Sequence, residues 1–357
     1  MKNNVINRIS YIDVLRGLGI FFIVLGHTAH IGILRNYLFS FHVPLFFFAS
    51  GICFKYESSV KIFLHKRLKS IIIPYLSFSV LSIILVHIAA GFGFGFEQYN
   101  NTILTDFINI IYANSKSGNL GFNTIIWFLP CYMSVAILTY FIEKFNKNFN
   151  NNSHNIIRLC SIIFLVCIGA IFFQGEKIAL PWHLESAINM SVFFLLGCEF
   201  KRIQHKLINI KLNYKIIFGT IFLLIGGVFC IFNRTVGVRG NNYGNIFYFY
   251  LCAISGCLAW TLLSMAINKN KILEYLGSSS LIILVLQGFP LNFFEKVLPI
   301  AFLQENPDNF KGFMVQIAFS ICVILLCLIG EKVILLLCPW MINKKRLKFG
   351  FRKGFYE

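Results

Sequence analysis

Runs of about twenty apolar residues recur from one end of this chain to the other, and they constrain the fold before anything else does. A run of that length matches the hydrocarbon thickness of a bilayer when it is wound as an α-helix. In lipid the helix also satisfies its own backbone hydrogen bonds, which no open strand can do. The composition agrees. Of 357 residues, 57% are hydrophobic and only 13% charged, whereas a soluble domain carries about a quarter charged residues. The reading is an all-α, polytopic integral membrane helix bundle, one domain over residues 1–357.

About ten transmembrane helices are expected, at 13–34, 38–55, 71–91, 124–142, 156–174, 187–200, 214–233, 245–267, 279–299 and 312–338. The sixth is short and the ninth contains Pro290, so either is a candidate re-entrant segment. An even number puts both termini on one side. With that side cytoplasmic, 23 of the 32 basic residues fall in cytoplasmic segments, seven in outer ones, and Arg16 and Lys332 within helices. This bias is the positive-inside pattern. It also accounts for the net charge of +18, so nucleic acid is not an expected partner; the lipid bilayer is. The protein is expected in the cell inner (plasma) membrane.

The eleven cysteines sit mostly in apolar runs, form no CxxC pair and do not cluster with histidine at metal spacing. They read as small core residues, and no metal is expected. The first apolar run is not expected to be a cleaved signal, being too long and carrying Arg16 and His27.

The stretch from Tyr11 to Gly51 stands out because it is mostly apolar yet carries Asp13, Arg16, His27, His30 and His42. Ionisable groups inside membrane helices are costly and mark functional sites. Arg16 and His27 are eleven residues apart, close to three turns, so they share a helix face about 16 Å apart along the axis. Asp13 and His30 continue that face. An arginine near a membrane surface suits phosphate, and a neutral imidazole is a competent general base. The same pattern fits a hydrogen-bonded core histidine beside an arginine that fixes topology. His42, two residues before Pro44, is expected at the outer end of the second helix, with the proline in its first turn. It reads equally as a capping residue.

Three further features have two readings each. Lys66, Arg67 and Lys69 precede the third helix; they either fix topology and contact anionic lipid or hold the phosphates of a cytosolic cofactor. Trp127, and Trp182 in a second outer segment, are interfacial aromatics or sugar-stacking rings. Gln287, in the ninth helix, bridges helices or binds substrate. The outer segment 92–123 is a candidate substrate entrance, and 234–244 reads as a Gly- and Asn-rich loop. No internal repeat or pattern of broken helices is evident, which argues against the alternative class, a polysaccharide-precursor transporter or flippase.

Taken in order, YIDVLRG with the following GH, FHVPLFFFASG, KRLKSIIIPY, WFLP, FFLLG at Phe193–Gly197 and LGSSSLIILVLQ resemble the acyltransferase-3 family of membrane-bound O-acyltransferases, most closely its fucose 4-O-acetylase-related branch. The resemblance implies an O-acetyltransferase that moves acetyl from cytosolic acetyl-CoA, as co-substrate, to a hydroxyl of a cell-surface or extracellular glycan. Acyl-CoA and the glycan acceptor are the partners it implies, with other polysaccharide-biosynthesis proteins as further ones. It implies His27 as general base or acetyl relay, and His42 and Asp13 as catalytic neighbours. Arg16, Arg67, Lys66 and Lys69 are implied as the donor-binding cations; Trp127, Trp182 and Gln287 would then contact substrate. Two positions depart from the family pattern: Ser70 stands where a second arginine often follows Arg67, and Gln287 where a histidine is often found.

Overall fold

The computed structural model describes residues 9–28, 32–91, 102–115, 120, 123–149, 151–175, 178–233, 236–297 and 309–342. Helices dominate these residues and no strand occurs among them. The order is α1 (Ser10–Thr28), α2 (Ile33–Ile52), α3 (Val60–Arg67), a π-helical turn (Leu68–Ile72), α4 (Ile73–Gly91), α5 (Ile103–Tyr112), α6 (Phe128–Asn146), α7 (Asn151–Phe172), α8 (Leu184–Ile208), α9 (Leu212–Ile231), α10 (Ile246–Ile267), α11 (Lys271–Leu286), α12 (Gly288–Val297) and α13 (Phe310–Leu337). Short 3₁₀ turns precede α6 (Thr124–Trp127) and α8 (Pro181–His183). We call the end of the bundle where α1 begins proximal, and the end where it finishes distal.

Several of these helices start where a side chain can satisfy the free N–H groups of the first turn. Asn245 accepts from Phe247 and Tyr248 ahead of α10, and Asn270 from Ile272 and Leu273 ahead of α11. Asn309 does the same for Gly312 at the start of α13. The π turn ends just before Pro74. A proline there offers no N–H and its ring crowds the carbonyl four residues back, so the local ladder widens.

Seven of the described helical segments are long and apolar enough to cross a membrane, or eight if α11 and α12, bent by 57° at their junction, form one span. The protein is thus a multi-pass membrane helix bundle. Two helices expected as spans, α2 and α8, are long enough but less apolar. Both are largely buried by their neighbours, so lipid does not dictate their composition. By contrast α7 and α9 are apolar and mostly exposed, as helices facing lipid should be.

Two close crossings hold the interior together. A Cβ at Gly17 of α1 would lie 2.1 Å from the Leu273 carbonyl oxygen of α11, and one at Gly277 2.1 Å from that of Asp13. On the other side of the bundle, a Cβ at Gly51 would meet the Phe194 carbonyl at 2.0 Å, and one at Gly197 the Phe48 carbonyl at 2.1 Å. Backbones that approach this closely admit no side chain, the small-residue packing that membrane helices use. Aromatic rings fill the space between α1, α2 and α10: Phe22 lies 4.4 Å from Trp260 and 5.7 Å from Phe41, centroid to centroid.

Towards the proximal end, buried Arg158 of α7 is bidentate to Glu143 of α6, with Nε and Nη2 at 2.6 and 2.7 Å from its carboxylate oxygens. Its Nη1 pairs with Glu199 of α8. One guanidinium therefore ties three helices, and its fork geometry suits this task where a lysine would not.

Candidate functional site

His27 lies in the last turn of α1. The sequence places this helix at 13–34; its described residues run from Ser10 to Thr28, and a separate helix, α2, is under way from Ile33. The neighbouring helices continue past that point. Thr28 Oγ1 and Ser320 Oγ lie 2.7 Å apart, and Ser320 is ten residues into α13, about 15 Å from that helix's start. Thr28 is therefore recessed within the bundle, and His27, exposed, opens into a cavity.

The cavity has a volume of about 450 Å³, within the range of small-molecule sites. Four elements build it: the end of α1 with His27; α2 with Arg35, Phe39, His42 and Val43; the turn before α6 with Thr124, Ile125 and Trp127; and the 236–242 loop with Arg239 and Asn242. The rings of His27 and His42 stand edge to face with centroids 6.5 Å apart. Phe39 packs against both, at 5.7 and 4.9 Å.

His42 is not at the end of its helix. Sequence reasoning puts it at the outer end of the second helix with Pro44 in the first turn. The helix instead begins at Ile33, because residues 33–37 continue the apolar pattern ahead of it. His42 consequently sits nine residues in and is buried. Its Nδ1 is 2.5 Å from the Leu38 carbonyl oxygen. A carbonyl only accepts, so Nδ1 carries the proton and Nε2 of the neutral ring is an acceptor.

The 236–242 loop is held in place from behind. Gly237 and Asn242 exchange two backbone hydrogen bonds of 2.7 and 3.1 Å, and Asn241 takes the left-handed conformation with φ 56°. Ser186 of α8 donates to the Val238 carbonyl or to Asn241 Oδ1, at 3.0 and 2.8 Å. Tyr243 donates to the same Oδ1 at 3.1 Å. Burial pushes the Tyr243 phenol well above its ordinary range, so this donor keeps its proton.

Behind Trp127 lies a second buried group. Trp127 is 5.2 Å from the His183 ring. His183 Nε2 accepts from the Ser115 N–H at 2.8 Å, and its Nδ1 is 3.5 Å from Glu185. Glu185 accepts from Asn114 Nδ2 at 3.1 Å and from the Leu180 N–H at 3.0 Å. Trp182 and His183 both have positive φ, 60° and 50°, a strained turn that these bonds hold.

The remaining expected site residues are dispersed. Asp13 is buried in α1 near the proximal end, and Arg16 is half-buried one turn further on. Lys66 pairs with Glu57, Lys69 is exposed, and the Arg67 guanidinium lies 5.4 Å above the Phe63 ring. These cations share the proximal end, three turns of helix from His27. Trp182 does not line the cavity; its indole donates to the Ile111 carbonyl at 3.1 Å. Gln287 is fully buried at the junction of α11 and α12. His30 and half of 92–123 lie outside the described residues; the described half carries α5. Arg35, Phe39, Thr124, Arg239 and Asn242 line the cavity without having been expected there. No helical spacing connects Arg239 to His27; only the tertiary fold does.

The described residues form a helical membrane bundle in which two imidazoles line one cavity. A family model described as an acyltransferase domain, that of the acyltransferase-3 family, matches residues 9–332, and the chain belongs to this family. No curated protein and no solved structure matches the chain. It is a membrane acyltransferase.

Proposed function

We propose that this acyltransferase is an O-acetyltransferase of the inner membrane, with about ten spans and both termini cytoplasmic, that moves acetyl from cytosolic acetyl-CoA to a hydroxyl of a cell-surface or extracellular glycan. The observation that carries the reading is the His27–His42 pair, 6.5 Å apart on a cavity at the distal end. Within the family, the sequence pattern resembles the fucose 4-O-acetylase-related branch.

The donor phosphates meet Arg16, Arg67, Lys66 and Lys69 at the proximal end, and the pantetheine arm runs along α1 towards His27, about 16 Å away. His27 removes the proton from the acceptor hydroxyl as its oxygen attacks the thioester carbonyl. The C–S bond breaks, and the departing thiolate takes the proton back. An acetylated His27 serves as relay where acceptor and donor do not meet. His42 presents an acceptor nitrogen beside it, and Trp127 offers the sugar ring a face to stack on.

The 57° break between α11 and α12 is a feature that transporters also use. Family membership favours acyl transfer over transport. The deciding experiment replaces His27 with Ala and measures the O-acetyl content and amount of the surface polysaccharide. Polymer at wild-type level but without acetyl supports the enzyme. Wild-type acetylation overturns the role of His27, and loss of the whole polymer supports transport.

A further inference from the structure

Two arginines line the cavity, Arg35 and Arg239, and no acidic residue does among those described. They come from different elements, the first turn of α2 and the pinned 236–242 loop. Arg35 is held by its own neighbourhood: its guanidinium sits 4.8 Å above the Phe39 ring, the ring that touches both His27 and His42. Such a cation–π contact orients the fork without neutralising it. Resting on the acetyltransferase reading, the geometry points to an anionic acceptor: we propose that the sugar bears a carboxylate or phosphate, that Arg35 and Arg239 hold this group, and that its hydroxyl then faces His27.

Three considerations support this. Guanidinium forks match the two oxygens of a carboxylate or phosphate. A cleft lined by one sign of charge concentrates ligands of the other sign. The basic residues are also scarce on this side: of the seven that the topology assigns to the outer segments, two converge on one cavity. A neutral sugar is better served by side chains that accept hydrogen bonds from its hydroxyls, and among the described lining residues Asn242 and Thr124 offer them besides the two imidazoles.

The test is direct binding, independent of catalysis. Purified full-length protein in lipid nanodiscs is titrated with glucuronate, glucose 1-phosphate and glucose, following tryptophan fluorescence, to which Trp127 in the cavity wall contributes. Wild type is expected to bind at least one of the two acidic sugars about tenfold or more tighter than glucose, the size of one charged hydrogen bond. Which acid binds better separates carboxylate from phosphate. Arg35→Gln with Arg239→Gln should erase the preference, while Arg35→Lys with Arg239→Lys should retain part of it. His27→Ala should keep the preference for the acidic sugars over glucose, because both arginines remain. Equal binding of glucose and both acids, or a preference that survives the double Gln substitution, overturns the proposal. Acetyl transfer, read separately as thiol release from acetyl-CoA, keeps the two readings apart: binding without transfer removes the acetyltransferase function alone, and transfer without acid preference removes the anionic acceptor alone.

Discussion

Gln287 sits level with His27. Gly17 and Gly277 mark where α1 and α11 touch, and His27 and Gln287 each lie ten residues further on. The two helices run the same way: α11 starts beside Asp13 and ends where Asn123 donates to the Val285 carbonyl at 3.0 Å, next to Thr124 of the cavity. Ten residues of helix is about 15 Å on each. The Gln287 amide donates to the Leu284 carbonyl at 3.3 Å, and its Oε1 meets no donor among the described residues. Gln287→Ala should lower acetyl transfer about tenfold, the value of one hydrogen bond in the transition state. Thiol release from acetyl-CoA by protein in nanodiscs measures it, and a fall in expression alone would not support it.

The two histidines should behave as one unit. His27→Ala should cost about 10³-fold in kcat, within the range of a positioned acid–base group. His42→Ala should cost a comparable factor, and the double variant should be no slower than the worse single one. Full additivity of the two losses would show that they act in separate steps.

The glycine crossing makes a structural prediction. Gly277→Val would place its side chain against the Asp13 carbonyl, where even a Cβ would sit at 2.1 Å. Forcing the helices apart should cost about 1–3 kcal/mol or more. It should also shift α11, and Gln287 with it, relative to α1, so activity should fall further than the amount of folded protein. Thermal unfolding and specific activity on the same preparation separate the two effects. Gly227, where a Cβ would meet nothing within 4 Å, is the control.

The proximal ion cluster predicts the opposite balance. Arg158→Ala leaves Glu143 buried without its bidentate partner, and breaking such a pair costs about 3–5 kcal/mol. Arg158→Met combined with Glu143→Leu should recover most of that loss. Because the cluster is remote from the cavity, kcat per folded molecule should stay near wild type in both variants. Melting temperatures in detergent, with activity normalised to folded protein, check this.

Much of the helical layout is legible in the apolar runs, because lipid imposes its own length scale on each span. Legibility fails where lipid is not the neighbour. α2 and α8 are read as helices from their pattern, but their ends and polar content follow from packing inside the bundle, which is why His42 comes out nine residues into its helix. Pro290 flags trouble in the ninth span without revealing that the break falls at Gln287. In the cavity, His27 and His42 stand out because imidazole is rare in apolar runs. Arg35 and Arg239 do not, since an arginine near a helix end or in a glycine-rich loop is unremarkable until the fold folds that loop over the cavity. Trp182 shows the converse: its composition suggests a sugar platform, whereas its indole serves the backbone of Ile111.

The 236–242 loop has its own fastenings, through Ser186, Asn241 and Tyr243, whereas both imidazoles ride on long helices. On the proposed reading, one of the two recognising arginines, Arg239, thus sits on a part separable from the helices that carry the imidazoles, while Arg35 shares α2 with His42. A lineage can rewrite the loop, altering its length or exchanging Arg239, and so move to a different sugar while the reaction machinery is inherited intact. Variation among relatives should accordingly gather in this loop and at Arg35 while sparing the two histidines, and transplanting the loop between two such enzymes should transplant part of the choice of acceptor.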